Sequence, residues 1–461
     1  MQVFSRSTPA QSSEVPIARA AMQHWPRHIR AICYIPQNGQ WEFWQQKREF
    51  LRWMEAVARP LQHPRWSLSA HVLKYHTVRL RLHAAARRVA RTPTLQNYRH
   101  YVAAYAPYAE FIWTPWSITY SLEPWLLSEL QRVLPEKWEW VYEGLAIPSQ
   151  RIPMEQLERA LLRWRLTRGS KTELEHLARR FGHLRSYSIN DQSWTAKDLA
   201  KMAAGMPGPA KEVERRRRTD RAHRARSRAA LALLSQWPGL RHVAEVIHCY
   251  TWLRTDRADE YKKAMVLAQP LYRALERRFG WQHGWAGHCT YEEICTALAL
   301  GGLPEASELE RRAKNQYVIF IERRKGHIIS TIFSDQRQWS VFLRRHVPGR
   351  QLAEGIREVR GTTAFSGHAR GRARVILRAA DVASMRHGEI LISDMTHPDY
   401  MTAIRKAAAM VTDEGGILCH AASISRELKI PCIIATQRGS KVLKTGDMIE
   451  VDATHGVVRK V

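Results

Sequence analysis

The chain has few cysteines. Its six, Cys33, Cys249, Cys289, Cys295, Cys419 and Cys432, include no CxxC, which argues against a disulfide framework or a thiolate metal site and fits a reducing compartment. No apolar run approaches the roughly 20 residues that span a bilayer, and the N-terminus lacks the apolar core of a secretion signal. A cytoplasmic protein without membrane attachment is therefore expected. Acids are scarce: 43 Asp and Glu face 72 Lys and Arg, a formal net charge of +29. That imbalance suits a polyanionic partner or an anionic substrate. No nucleic-acid-reading module accompanies it, so nucleic acid is a possible partner and not the favoured one.

What is present is enough for two or three domains, since 461 residues with 45% hydrophobic content can bury real cores. Residues 1–20 are Ser-rich and read as a flexible tail. From about 40 to 300, apolar residues recur three and four apart, as in Phe43, Phe50, Leu51, Met54 and Val57, the period of amphipathic helices. Breaks are expected at Pro60 to Pro64, Pro115 to Pro124, Pro148 to Pro153 and Met206 to Pro209. The arginine-rich stretch 211–228 is interrupted by Glu212, Glu214 and Asp220. It reads as the solvated start of a long helix, with a phosphate-tracking surface as the alternative. Seventeen tryptophans, several of them within 111–126, read as packing between helices in preference to stacking on a ligand. Gln316 to Ile321 and His327 to Phe333 form a hairpin across the charged turn ERRKG. The mainly helical region thus covers 21–343, and the polar segment 344–360, with its Pro-Gly pair, is the hinge.

From Gly361 onward the pattern becomes α/β. Short β-branched runs at Ala373 to Leu377, Ile390 to Ser393, Ala409 to Thr412, Cys432 to Ala435 and Met448 to Val451 alternate with glycine turns and two helical stretches. Within VTDEGGILCHAASISRELKIPCIIAT (411–436) a strand meets Gly415 and Gly416, and a helix starts near His420 and stops before Pro431. A histidine at a helix start after paired glycines suits phosphoryl transfer: unpaired amides and the helix dipole favour an arriving anion. Imidazole is nucleophilic near neutral pH when one ring nitrogen is unprotonated. Taken alone, such a histidine is more often structural.

The whole segment reverses that balance. GTTAFSGHARGRARVI, GEILISDMTHPDYMTAIRKAAAMVTDEGG, GGILCHAASISRELKIPCI and GDMIEVDATHGVVRKV, in this order over 361–461, resemble the mobile phosphohistidine domain of the PEP-utilising enzymes. Phosphoenolpyruvate synthase, pyruvate phosphate dikinase and the first enzyme of the sugar phosphotransferase system carry such a domain. The resemblance implies that His420 carries the phosphoryl group. It implies that Thr412, Gly415, Gly416, Cys419 and Arg426 shape the loop and its anion contacts, beside the plainer reading of Thr412, Gly415, Gly416 and Arg426 as turn and helix-start residues. No metal ligand is implied in this domain. The family usually has threonine two residues before the histidine, where this chain has Leu418, so regulation through that hydroxyl cannot operate.

In such enzymes the histidine is charged by an ATP-grasp domain or by phosphoenolpyruvate in a barrel, and the helical region shows no strand-embedded glycine-rich phosphate loop of the first kind. The resemblance therefore implies ATP or phosphoenolpyruvate, with Mg, as donor through a separate nucleotide- or PEP-binding protein. Residues 290–328 (TYEEICTALALGGLPEASELERRAKNQYVIFIERRKGHI) are similar to the segment preceding the swivel domain in rifampicin phosphotransferase, which implies a small-molecule acceptor in the helical region. The expectation is a phosphotransferase of two parts, mostly α and then α/β. The alternative is a non-catalytic swivel-domain protein whose basic helical region binds nucleic acid or an acidic protein.

Overall fold

The computed structural model describes residues 7–8, 31–37, 40–44, 47–186, 189–302, 304–314, 317–324, 327–335, 337–338, 340–342, 357–377, 379–396, 400–416 and 419–461. The chain divides into two compact units, one of residues 9–36 and 45–341, the other of residues 1–8, 37–44 and 342–461. The expected tail (1–20, apart from Ser7 and Thr8) and most of the expected hinge (344–356) lie outside the described residues.

The first unit is helical. Its helices are α1 (Lys47–Gln62), α2 (Leu68–Arg91), α3 (Leu95–Ser117), α4 (Glu123–Val133), α5 (Trp138–Ala146), α6 (Pro153–Thr167), α7 (Lys171–Phe181), α8 (Ala196–Ala204), α9 (Pro209–Leu233), α10 (Pro238–Phe279), α11 (Tyr291–Leu300) and α12 (Ala306–Ala313). Local chemistry fixes many of the starts. Ser67 and Thr94 accept from the amides of Ala70 and Asn97, and Ser170/Glu173, Thr195/Asp198 and Thr290/Glu293 form reciprocal capping boxes. α2 and α3 pack with the 42-residue α10. Their shared interior holds the fully buried rings of Tyr75, Tyr98, Tyr108, Phe111 and Tyr250.

Three of the four expected breaks coincide with gaps between helices; the fourth does not. α3 runs through Pro107 and Pro115, and the chain continues through a π-helical turn, Ile118–Leu122, directly into α4. Pro115 does lack the amide that would close its turn. The wider turn that follows absorbs the mismatch, and Pro124 sits in the first turn of α4, where no amide is required. The aromatic run here is packing, as expected. Phe50 lies edge-on to Trp116 and Tyr120, with ring centroids 6.0 and 5.4 Å apart, and Trp53 meets Trp113 at 5.0 Å.

The hairpin exists as β2 (Val318–Arg324) and β3 (His327–Phe333), paired from Val318↔Phe333 to Arg324↔His327. Its turn is therefore shorter than ERRKG, because Glu322, Arg323 and Arg324 belong to the strand. A further strand, β1 (Ala31–Gln37), pairs antiparallel with β2 and went unread in the sequence, although AICYI has the β-branched and aromatic composition of one. Gln40–Trp44 is also a strand, so Phe43, expected on a helix, is not on one; the helix begins at Lys47.

The second unit is a mixed sheet with helices. Over residues 357–461 it contains, in chain order, β4 (Glu358–Arg360), β5 (Thr362–Phe365), β6 (His368–Val375), β7 (Ile390–Ser393), α13 (Met401–Ile404), β8 (Ala409–Thr412), α14 (His420–Leu428), β9 (Cys432–Ile434), α15 (Gly439–Val442), β10 (Met448–Asp452) and β11 (Val457–Lys460). Among the described residues the strand order is β4-β11-β10-β6-β7-β8-β9-β5. β6, β7, β8 and β9 are mutually parallel, in registers Ala373↔Ile390, Val411↔Ile392 and Met410↔Cys432.

All residues of β7, β8 and β9 are buried, as a parallel sheet covered on both faces requires. Alternate side chains feed two cores. Ile390, Ile392, Val411 and Ile433 join Val442, Ile449 and Val451, while Leu391, Met410, Cys432 and Ile434 join Tyr400, Ile404 and Ala422. The sequence runs at 390–393 and 409–412 match their strands residue for residue. The short strands β4, β5 and β11 were not read. Among the described residues, no helix is long and apolar enough to cross a membrane.

Candidate functional site

Parallel strands place their carboxyl ends on one edge of a sheet, where ligands of open α/β folds gather. Here the loops after β7, β8 and β9 meet at that edge and are stitched together through their backbones. The Asp413 amide donates to Ser393 O at 3.0 Å, Glu414 N to Asp394 O at 2.9 Å, Thr436 N to Thr412 O at 3.0 Å and Gln437 N to Asp413 O at 2.9 Å.

The backbone of each residue expected at the site has a definite place. Thr412 is the last residue of β8 and only 1% exposed. Its hydroxyl donates to Glu414 O at 2.8 Å, so it holds the loop's shape. Gly415 has φ +127°, and a Cβ there would stand 2.6 Å from Cys419 Sγ, so the position demands glycine on both counts. The Gly416 carbonyl accepts the Cys419 amide at 2.8 Å. Cys419 is the N-cap of α14, with φ −71° and ψ 166°, and its sulfur accepts from Ala422 N at 3.5 Å. A thiol is a weaker acceptor than the hydroxyl usual at this position.

His420 is the first residue of α14, at the end where helix amides lack intrahelical acceptors and the dipole is positive. Its side chain, and all of Ile417 and Leu418, lie outside the described residues. Arg426 is not brought to the same end. Six residues on, it lies about 9 Å along the helix and roughly 240° around it from His420. There its charge acts on Cys432. Burial above all pushes that thiol up, Cys419 adds to the effect, and Ser425 and Arg426 oppose it.

The sequence reading missed the residue that organises this edge. Asp413 is 6% exposed. It accepts from Thr436 Oγ1 at 2.9 Å, from Ser440 N at 3.0 Å and from the Ser440 hydroxyl. Burial raises its carboxyl, and the Ser440 and Thr436 hydrogen bonds oppose that rise. It clamps the loop after β8 to the loop after β9, where Ala435 and Gln437 adopt the left-handed φ values of 58° and 64°. The signal available in sequence was weak: an acid at a strand end, with small hydroxyl residues some 25 positions later.

In the helical unit the acidic and basic elements of 290–328 serve packing. Arg312, 5% exposed, donates to both Glu293 oxygens at 2.8 and 3.0 Å and to Glu308 at 2.7 Å. Among the described residues, no three His, Cys, Asp or Glu side chains cluster as a metal would need.

Residues 385–456 match the family of the PEP-utilising enzyme, mobile domain. The C-terminal unit carries that mobile domain. It is 46% identical over 102 residues to phosphoenolpyruvate synthase of Pyrococcus furiosus, a match covering 22% of this chain and 12% of the relative. It is 43% identical over 106 residues to a probable phosphoenolpyruvate synthase of Archaeoglobus fulgidus, covering 23% and 14%. A 41% match over 102 residues to chondramide synthase of Chondromyces crocatus covers 22% of this chain and 3% of that one. The chain thus spans only about an eighth of the length of the two phosphoenolpyruvate synthases. The solved structure of aconitase X from Thermococcus kodakaraensis aligns at 18% identity over 23% of this chain and 98% of its own, with a TM-score of 0.19, too low to bear on function.

Proposed function

We propose that the mobile domain, assigned to 361–461, carries a phosphoryl group on His420 between a donor and an acceptor bound by the helical region. The observation that supports this most is the position of His420: the first residue of a helix that opens at the carboxyl edge of the parallel strands, behind a loop whose Gly415 admits no side chain. An unprotonated imidazole nitrogen takes the phosphoryl group from its donor, the P–O bond to the donor breaks as the P–N bond forms, and the donor oxygen leaves with its electron pair. The positive helix end then faces the charge that arrives. Thr412, Gly415, Gly416 and Cys419 hold the loop in shape, and Asp413 clamps it to its neighbour. Arg426 acts, in this reading, from the far side of α14.

ATP or phosphoenolpyruvate, with Mg, is the donor, presented by a separate protein. The hinge on which the domain swings, expected over 344–360, ends before Glu358, because 358–360 form strand β4 of the sheet. The test is acid-labile, base-stable labelling of the purified chain with phosphoenolpyruvate or with ATP labelled at the β or γ phosphate, with and without cell extract. Label that needs extract and disappears in His420→Ala supports a carrier with a separate charging partner. Label without extract would mean the chain binds its own donor, and no label in either case would leave the domain as a binding module.

A further inference from the structure

The arginine-rich helix α9 (Pro209–Leu233) is divided into two faces with opposite fates. On the inner side the charges are spent on structure. Arg216 is held by Glu212 and Glu158 at 2.7 and 2.8 Å, Asp220 by Arg151 and Arg159 at 2.8 and 2.6 Å, and Arg226 pairs with Glu143. On the outer side Arg217, Arg221, Arg224 and Arg228 are all exposed. None of the four forms an ion pair among the described residues, and Arg228 donates only to the Arg224 carbonyl at 3.3 Å. The nearest acids make their ion pairs elsewhere, Glu214 with Arg218 at 3.1 Å and Asp220 with its inward partners, although the charge of Arg224 also acts on Asp220.

The spacing of these four is i, i+4, i+7 and i+11. At 100° per residue they fall within a sector of about 60°, and at 1.5 Å per residue the row is about 16 Å long. Four guanidiniums so aligned repel one another unless an anion lies along them. We propose that this row is a contact surface for the phosphate backbone of a nucleic acid.

Three features select that partner. All four residues are arginine, whose planar fork matches phosphate oxygens in pairs. The face between them offers only Ala225 and neighbouring charged residues, without the aromatic or aliphatic anchors that give protein interfaces their affinity. It likewise lacks the apolar stripe that a helix lying in a lipid surface inserts. The net charge of +29 adds long-range attraction for any polyanion, while the row supplies a track. Backbone contact of this kind reads no sequence.

The experiment is a fluorescence-anisotropy titration of the intact chain with a labelled RNA of about 20 nucleotides and the matching duplex, across roughly 50 to 200 mM salt. Wild type should bind with steep salt dependence. The variant R217Q/R221Q/R224Q/R228Q should bind at least about tenfold more weakly and lower the slope of log affinity against log salt by about 3, close to one unit for each phosphate no longer neutralised. A control removing as much charge from other exposed positions, R91Q/R99Q/R273Q/R277Q, should stay within about threefold of wild type, and His420→Ala should bind like wild type. Equal losses in the two quadruple variants would overturn the proposal in favour of diffuse charge. So would absence of wild-type binding at low salt, or binding to anionic vesicles or acidic protein but not to nucleic acid. Should the glutamine variant lose helicity by circular dichroism, R217K/R221K/R224K/R228K decides. The proposal expects it to keep the salt slope and lose affinity, and unchanged affinity would count against it.

Discussion

The two units bury polar groups in different ways. In the helical unit, buried titratable side chains are spread along α2, α10 and the segments against them. His71 meets Tyr250 Oη at 2.6 Å, Tyr75 donates to Asp256 at 2.6 Å, and His83 meets the Glu260 carbonyl at 3.0 Å. In the C-terminal unit, Ser393, Asp394, Thr396, Thr412, Asp413 and Thr436 are buried within one zone, at the carboxyl ends of three parallel strands. Outside that zone the buried polar side chains among the described residues are Glu389 and Ser425, and the two cores are otherwise apolar. Dispersed polarity of the first kind satisfies a wide helical interface. Concentrated polarity of the second kind shapes a loop cluster, and a chemical site needs such shaping.

Acid should separate the units most strongly. Burial lowers the folded-state pKa of His71, His83 and His288 to about 4 and of His183 to about 3, although Glu110 opposes the shift at His71 and a backbone hydrogen bond opposes it at His83. These groups bind protons more readily when unfolded, so their stabilisation is complete above the ordinary histidine value of 6.5 and is lost as pH falls from there towards 4. Each contributes up to roughly 3 kcal/mol by pH 4. In the C-terminal unit, His368, His387 and His455 are exposed. Of the seventeen tryptophans only Trp41 and Trp44 fall in the other unit, so intrinsic fluorescence reports chiefly the helical unit. Its thermal midpoint should drop steeply between pH 6.5 and 4, and a flat profile would contradict the burial of these rings.

Point substitutions sharpen the contrast on a smaller scale. Arg312→Ala should cost the helical unit about 3 to 5 kcal/mol, because Glu293 and Glu308 lose the cation that offsets their charge. Denaturant unfolding followed by tryptophan fluorescence measures it. Asp413→Ala should cost the C-terminal unit about 3 kcal/mol and leave the fluorescence transition unmoved, with loss seen in amide exchange of β8 and β9. Gly415→Ala forces a methyl into the left-handed region against Cys419, at roughly 1 to 3 kcal/mol, and should depress labelling of His420 more than it depresses stability. Cys419→Ser, supplying a better acceptor for the Ala422 amide, should stabilise α14 by about 0.5 kcal/mol, the smallest effect of the set.

The sequence was most legible where a physical rule acts over few residues. The strands at 390–393 and 409–412 announce themselves because parallel strands buried on both faces must be apolar throughout. The helix after His420 is bounded by Gly416 before it and Pro431 after it. Pro115 misled because a proline reads as a stop unless the following turn can widen, and that depends on tertiary packing around Trp116 and Tyr120. Asp413 escaped notice because its partners, Thr436 and Ser440, are distant in sequence and become neighbours only when β9 lies beside β8. The outer row on α9 was hidden in plain composition. Which arginines are spent on Glu158 or Glu143 is decided by α6 and α5, and only the subtraction reveals those left over.

In the C-terminal unit, the first strand and the last lie side by side, Val359 opposite Val458. The polypeptide therefore enters and leaves through the same doorway, on the side of the sheet away from β8 and α14. A module with adjoining ends can be spliced into an unrelated host without unthreading its own sheet, much as a cassette is exchanged. That portability is a physical reason why one fold of about a hundred residues can recur in chains as different in length as phosphoenolpyruvate synthase and chondramide synthase.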